Sequence, residues 1–210
     1  MLHNPEYVKI FVALIAIVNP FGVIPIYISM IAGVNGQQRR HITNVVASTV
    51  CLILLAALYF GEVILHFFGI SIHSFRVGGG ILLLLMAVSM LHARISPIVQ
   101  SKEEAEESID KESVAVVPLA IPLLAGPGAI STVIIDAHKA SGFMHYSIIT
   151  IEIVMLSIIL WIVLRFSPLI SQRISATGIN IATRIMGLIL AAIAVEFIAT
   201  GLKGLFPHLA

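Results

Sequence analysis

Long apolar segments separated by short polar connections dominate the chain. About 20 apolar residues cross the hydrocarbon core of a bilayer as a helix, so the pattern predicts six membrane spans. They lie near 8–31, 43–68, 75–93, 113–137, 146–166 and 182–203. The longest connection, 94–113, is rich in Lys and Glu, and we interpret it as a solvated cytoplasmic linker. It divides the chain into two units of three spans, 1–93 and 114–210.

Proline and glycine interrupt the first predicted span of each half. The interruptions are Asn19–Pro25 in the first half, and Pro118–Pro122 followed by Ala125–Gly128 in the second. Each proline removes a backbone hydrogen bond, and hydrocarbon holds no water to replace it. Because the residue before a proline is driven out of the α region, we expect non-helical backbone at these positions: Asn19, Ile24, Ile121 and Gly126.

The third predicted span of each half opens with a second shared motif. Arg76 and Gly79 precede an Ile-Leu pair in the first half, and Arg184 and Gly187 do so in the second. Repeats with an odd number of spans must lie inverted in the membrane, as they do in many secondary transporters. The sequence therefore predicts an all-α polytopic membrane protein. Its six transmembrane helices would form two inverted three-helix repeats with broken first helices.

The two breaks are the candidate substrate site. A broken helix frees carbonyls at one end and N–H groups at the other, and both can bind a small zwitterion. The alternative is that the prolines only kink packed helices. Arg76 and Arg184, at opposite membrane faces, would be a carboxylate clamp or gate, or else interfacial arginines that reach headgroups. The candidate residues at the breaks are Asn19, Pro20, Gly22, Pro25, Pro122, Gly126, Pro127, Gly128 and Ser131.

Carboxylates within the spans are candidates for proton coupling, because they are costly in a membrane unless paired or hydrated. Glu196 is the leading candidate by depth and Glu152 is the second. The alternative is that these residues are interfacial, which is our interpretation of Glu62 and Asp136.

Composition narrows the class of protein. The chain is 59% hydrophobic and 11% charged, against a charged share of about 25% in soluble proteins. A net charge of +1 offers no basic surface for nucleic acid. No Cys/His cluster has metal-ligand spacing, and no nucleophile or phosphate-loop motif indicates an enzyme. We expect no cofactor and no metal.

Basic residues predict the orientation. They concentrate in the connections that follow the odd-numbered spans, and the positive-inside rule assigns those connections to the cytoplasm. Both termini would then be periplasmic. We interpret the first apolar segment as a retained span of an inner-membrane protein, because it exceeds a signal-peptide core.

Four motifs together resemble the MarC family of prokaryotic integral membrane proteins, and the tail 196–207 resembles its YchE-like branch. The motifs are Asn19–Pro25, Phe75–Gly80, Val117–Ile130 and Thr183–Leu188. The resemblance implies six spans, an inner-membrane location and a relation to LysE-type exporters. A similar archaeal protein is regarded as a transporter of small neutral amino acids. The resemblance implies no particular binding residues.

The sequence thus predicts a secondary carrier for a small neutral solute such as glycine or alanine, with proton coupling through Glu196 or Glu152 as a further hypothesis. The alternative function is a non-transporting structural or assembly factor in the membrane, with the charged linker as its docking surface. In either case the lipid bilayer is the expected surrounding.

Overall fold

The computed structural model describes residues 4–24, 27–28, 31, 34–92, 124–173 and 176–207. Within these ranges the chain is all-helical, with no strand. The linker 94–113, Pro25 and Pro118–Pro122 lie outside the described residues. The helices are α1 (Asn4–Val18), α2 (Gly36–Phe67), α3 (Ile72–Leu91), α4 (Pro127–Ala137), α5 (Phe143–Arg173) and α6 (Ala176–Leu205).

Four helices of the described chain are long and apolar enough to cross a membrane. The qualifying stretches are Gly36–Phe67, Ile72–Leu91, Phe143–Ile170 and Ile181–Leu205. The α4 helix, with 11 residues, is about 16 Å long, so it cannot cross a core of about 30 Å alone. The expectation of a polytopic helical membrane protein is confirmed at this level.

Local sequence signals set the boundaries of α2 and α3. The side chain of Asn35 accepts a hydrogen bond from the Gln38 N–H at the start of α2, and Ser71 caps α3 by accepting from the Ser74 N–H. Gly69, with φ +66°, ends α2. Its N–H donates to the His66 carbonyl, and the Ile70 N–H donates to Leu65. This pattern is a Schellman motif, in which a left-handed glycine terminates the helix.

Several boundaries differ from the sequence prediction. The polar connection predicted between the fifth and sixth spans is helical through Arg173 and again from Ala176. Hydropathy detects only the part of a helix that matches the bilayer, whereas helical hydrogen bonding continues into polar sequence. Ile24 is also helical, contrary to the expectation from the following proline. Its N–H donates to the Phe21 carbonyl at 3.2 Å, and this turn overrides the preference of a residue that precedes proline.

The most extensive helix pairing joins α3 to α6 in antiparallel orientation. A Cβ atom added at Gly201, late in α6, would lie 2.9 Å from the His73 carbonyl oxygen early in α3. One added at Gly187, early in α6, would lie 3.2 Å from the Ala87 carbonyl oxygen late in α3. Small residues on both helices let the two backbones approach closely, as is typical of membrane helix pairs.

Helices α2 and α5 form a second antiparallel pair. Trp161 Nε1 donates to Asn44 Oδ1 at 2.8 Å near one end, and the Tyr59 and Thr150 hydroxyls lie 2.8 Å apart near the other. The α1 helix contacts α4, α5 and α6, and α4 lies among α1, α2 and α3 with its residues almost wholly buried. The described parts of the two broken segments therefore lie in the interior of the bundle.

Candidate functional site

The first break is a tight turn around Asn19. Its φ of +46° is left-handed, a conformation that Asn tolerates better than most residues. Its backbone N–H still donates to the Ile15 carbonyl at 2.9 Å, so α1 ends at the turn. The Gly22 N–H donates to the Asn19 side-chain oxygen at 3.2 Å and to its carbonyl at 3.1 Å. The prediction of non-helical backbone at Asn19 is confirmed.

Gly22 lies directly under the Asn19 side chain. A Cβ atom at this position would collide with the Asn19 amide group. Pro20, between the two residues of the turn, is buried. The three candidate residues of the first break that the structure describes thus form one compact turn, in which the Asn19 carboxamide bonds within the turn.

The chain that follows this turn enters the bundle. Ile24 packs against Val163 of α5. Tyr27 is fully buried, and its hydroxyl lies 2.7 Å from the hydroxyl of Thr43 in α2. Helical hydrogen bonds from Tyr27 to Val23 and from Ile31 to Tyr27 show that the chain turns helical again. The first predicted span is therefore broken in the middle, as the sequence predicts.

The second break ends at the N-terminus of α4. Gly126 is extended, with φ −69° and ψ 178°, and Pro127 is the first helical residue, so the non-helical prediction for Gly126 is confirmed. The N-cap residue is Gly126, which has no side chain, and no other side chain caps this helix among the described residues. Gly126, Gly128 and Ala129 are all buried. A buried helix N-terminus without a capping side chain is unusual, because its first N–H groups need partners.

Two hydroxyl groups lie in the first turns of α4. Ser131 Oγ donates to the Gly128 carbonyl at 3.0 Å, and Thr132 Oγ1 donates to the same carbonyl at 2.8 Å. Both side chains are buried. Ser131, a candidate from the sequence, therefore lies about one turn beyond the break and inside the bundle.

The Arg-x-x-Gly motif of α3 packs against this part of α4. A Cβ atom at Gly79 would lie 2.7 Å from Ser131 Oγ, and one at Gly128 would lie 2.6 Å from Leu83 Cδ2. The structure therefore brings together two motifs that are about 50 residues apart in sequence. Both breaks also contribute to one hydrophobic core, the first through Val18, Val23 and Tyr27 and the second through Leu124, Ala125 and Ala129.

A buried polar cluster lies at the far end of α4 from the break. Asp136 is 2% exposed, and its Oδ1 lies 2.6 Å from Lys139 Nζ. The Asp136 carbonyl lies 3.0 Å from Nε2 of His145, whose Nδ1 lies 3.1 Å from the Tyr7 hydroxyl of α1. A carbonyl can only accept, so Nε2 carries the proton and, in the neutral ring, Nδ1 accepts from Tyr7.

Two further charged residues join this cluster. Arg76 of α3 and Glu152 of α5 lie within electrostatic range of Asp136. Glu152 is 7% exposed. Asp136 and Glu62, both interpreted from the sequence as interfacial, differ in their surroundings: the Asp136 side chain is enclosed by protein, whereas Glu62 is exposed. The sequence contains a signal for the Asp136–Lys139 pair alone, whose i,i+3 spacing brings opposite charges together, and it contains none for the rest of the cluster.

Two of the predicted site residues lie away from both the broken segments and the polar cluster. Arg184 and Glu196 are exposed on α6. Glu196 Oε1 accepts from the Thr200 hydroxyl of its own helix at 3.5 Å. Because α3 and α6 are antiparallel, Arg76 and Arg184 lie at opposite ends of that pair, as expected from the repeat.

A shallow cleft of about 300 Å³ opens between α2 and α5 near the polar cluster. It is lined by Tyr59, Glu62, Val63, His66 and Tyr146. Glu62 Oε1 lies 3.5 Å from His138 Nδ1 at this end of the bundle. In the described residues, no group of three His, Cys, Asp or Glu side chains is placed to hold a metal ion.

Comparison with known proteins places this architecture in a family. The profile described as MarC family integral membrane protein matches residues 4–206. The chain is 43% identical over 206 residues to the UPF0056 membrane protein YhcE of Escherichia coli, covering 98% of this chain and 95% of YhcE. It is 40% identical over 204 residues to the UPF0056 membrane protein YvbG of Bacillus subtilis, covering 96% of each.

A more distant organism carries a similar protein. A UPF0056 membrane protein of Methanocaldococcus jannaschii is 40% identical over 202 residues, covering 95% of this chain and 88% of that protein. No solved structure matches the chain. The match over nearly the full length agrees with the motifs at the two breaks, and the chain belongs to the MarC family of integral membrane proteins.

Proposed function

We propose that this protein is a secondary carrier for a small neutral zwitterion such as glycine or alanine, bound where the two broken segments enter the bundle. The observation that carries this proposal is the N-terminus of α4, where Gly126, Gly128 and Ala129 are buried and no capping side chain is found among the described residues. Its N–H groups and the positive end of the helix dipole attract a carboxylate. In a soluble protein a side chain or a water molecule would accept hydrogen bonds from these N–H groups. In this carrier the substrate carboxylate would accept them.

The pairing of the helices supports a carrier built from two repeats. Each helix of the first half contacts its counterpart in the second, α1 with α4, α2 with α5 and α3 with α6. For the second and third pairs the contacts described above make the partners antiparallel. Repeats inverted in the membrane require this orientation. Rocking of one half against the other would then expose the site to each side in turn.

The proposed carrier performs no covalent chemistry and needs no cofactor. Its location is the inner membrane, with both termini in the periplasm, as the distribution of basic residues predicts. The turn at Asn19 and the extended backbone at Gly126 are points where the described parts of the two broken segments depart from the helix. They are the expected pivots of the conformational change.

Counterflow of radiolabelled alanine in proteoliposomes tests the proposal, because it requires no coupling gradient. We expect saturable exchange that is competed by unlabelled glycine. Gly126→Leu should abolish exchange by filling the buried turn, and Pro127→Ala should reduce it. Gly78→Leu is the matched control, since a Cβ atom at Gly78 meets nothing within 4 Å. Absence of exchange across a panel of small neutral solutes, from folded protein, would favour the non-transporting membrane factor.

A further inference from the structure

The carboxylate of Glu152 lies inside the bundle, and none of the ion pairs found among the described residues includes it. Its side chain is 7% exposed, and its Oε2 has no hydrogen-bond partner among the described residues. Glu152 lies about 14 Å along α5 from the first residue of that helix, at 1.5 Å per residue. A buried carboxylate in its charged form is strongly disfavoured unless a cation or several donors compensate it.

Asp136, a second buried carboxylate, differs from Glu152 because it has a cationic partner. Lys139 pairs with it at 2.6 Å, and Arg76 lies within electrostatic range. Lys139 therefore favours a negative charge on Asp136, and such a charge acts on Glu152 across the contact between α4 and α5. Two buried carboxylates that interact in this way cannot both ionise cheaply. The charged and titratable groups of the described residues at this end of the bundle are Glu6, Tyr7, Lys9, Tyr59, Glu62, His66, His73, Arg76, Asp136, His138, Lys139, His145, Tyr146 and Lys203.

We propose that Glu152 holds an exchangeable proton beside the Asp136–Lys139 ion pair and that this proton is the coupling ion of the carrier. The coupling role rests on the proposed function, whereas the proton site itself does not. A proton needs neither a cavity nor additional ligands. The cleft near the cluster is lined by other residues, and no metal-ligand group is found among the described residues. These observations favour a proton over a metal ion or a solute.

The position of Glu152 also distinguishes it from Glu196. Glu196 is exposed on the outer surface of α6, and it accepts a hydrogen bond from Thr200 of the same helix. Glu152 instead lies on α5, which contacts α1, α2 and α4. A change in the charge of Glu152 therefore acts on helices of both halves, as coupling requires.

Infrared spectroscopy of the full chain in lipid nanodiscs tests the proton site directly. We expect a carboxylic-acid C=O band at neutral pH that is lost in Glu152→Gln and kept in Glu62→Gln, an exposed carboxylate at the same end of the bundle. Glu152→Asp should keep the band at a shifted frequency, which covers the case in which the glutamine variant does not fold. A band unchanged in Glu152→Gln overturns the proposal.

The neighbouring ion pair gives a second test. Asp136→Asn removes a negative charge and frees Lys139, so Glu152 should lose its proton at lower pH and the band should titrate away earlier. An unchanged titration would show that the two carboxylates do not interact and would overturn the site as described.

Transport assays separate this inference from the proposed function. In proteoliposomes, Glu152→Gln should retain alanine counterflow but lose accumulation driven by a pH gradient, whereas Glu196→Gln should retain both. The reverse outcome, with accumulation lost only in Glu196→Gln, would assign coupling to Glu196. A further outcome is that neither the protein nor its variants exchange any solute while the carboxylic-acid band is still lost in Glu152→Gln. That result would support the proton site and contradict the carrier function.

Discussion

At the scale of single residues, the candidate site depends on positions where a side chain or its absence fixes the backbone. Asn19 adopts a left-handed conformation that costs most other residues about 1–2 kcal/mol, and its amide satisfies the Gly22 N–H. At Gly79 the absent side chain is what matters, because α4 lies against the bare backbone. Close packing against α4 thus accounts for Gly79 in the Arg76-x-x-Gly79 motif. The charge of Asp136 acts on Arg76 and accounts for the arginine.

The adjacent glycines of α3 allow a matched test of that packing. A Cβ atom at Gly79 would lie 2.7 Å from Ser131 Oγ, whereas one at Gly78 meets nothing within 4 Å. Gly78→Ala should stabilise the protein by about 0.5–1 kcal/mol through helix propensity. Gly79→Ala should destabilise it by about 1–3 kcal/mol because α3 and α4 must separate. Thermal unfolding in detergent micelles measures both. Equal transitions for the two variants would refute close packing at Gly79, and adding Ser131→Gly should restore the stability of Gly79→Ala.

At the scale of elements, hydropathy and proline predicted the helical type and the positions of the four long apolar helices well and their ends less well. The spans near 43–68 and 75–93 correspond to Gly36–Phe67 and Ile72–Leu91. The start of α2 was missed because its first turns are polar, although Asn35 is a recognisable capping residue. The helical turn at Ile24 was missed because its hydrogen bond to Phe21 forms only once the whole turn exists.

Proline inside α5 illustrates how an element tolerates a break in its hydrogen bonding. Pro168 lies within the helix and cannot donate to the Leu164 carbonyl. The Ser167 hydroxyl donates to that carbonyl instead, at 2.8 Å, and is fully buried. Membrane helices accommodate proline partly in this way, with a side-chain hydroxyl in place of the missing backbone N–H donor.

A double-mutant cycle tests this compensation. Ser167→Ala should destabilise the protein by about 1–3 kcal/mol, because a buried carbonyl loses its partner. In a Pro168→Ala background the backbone N–H returns, and the same substitution should cost much less. Ser48→Ala is the control, since the Ser48 hydroxyl is exposed and bonds to a carbonyl in an intact helix. If Ser167→Ala lowered the free energy of unfolding equally in both backgrounds, the Ser167 hydroxyl would not be compensating for the hydrogen bond that Pro168 removes.

At the scale of the whole molecule, the two parts of the candidate site were predictable to different degrees. The breaks are visible in sequence because proline and glycine mark them locally. The polar cluster is not visible, because Tyr7, Arg76, Asp136 and Glu152 belong to four helices and meet only through packing. Each of these residues alone resembles an interfacial polar group. Their enclosure depends on which face each helix presents to the interior, and near-uniform apolar sequence does not define that face.

The orientation of the whole bundle gives a last prediction. The helix pairs place the start of α2 and the α4–α5 connection at opposite ends of the molecule, since Asn44 bonds late in α5 and Tyr59 bonds early in it. The positive-inside rule assigns the end with Arg39 and Arg40 to the cytoplasm. The single cysteine, Cys51, can be replaced by serine to give a silent background.

In that background, Ser141→Cys in the α4–α5 connection should react with a membrane-impermeant thiol reagent added to intact spheroplasts. Gln37→Cys at the start of α2 should react only after the membrane is permeabilised. Both positions are exposed, so a difference in labelling reports the side of the membrane and not burial. Labelling of Gln37→Cys from outside, with Ser141→Cys protected, would invert the orientation. The proton site at Glu152 would then lie nearer the cytoplasmic face.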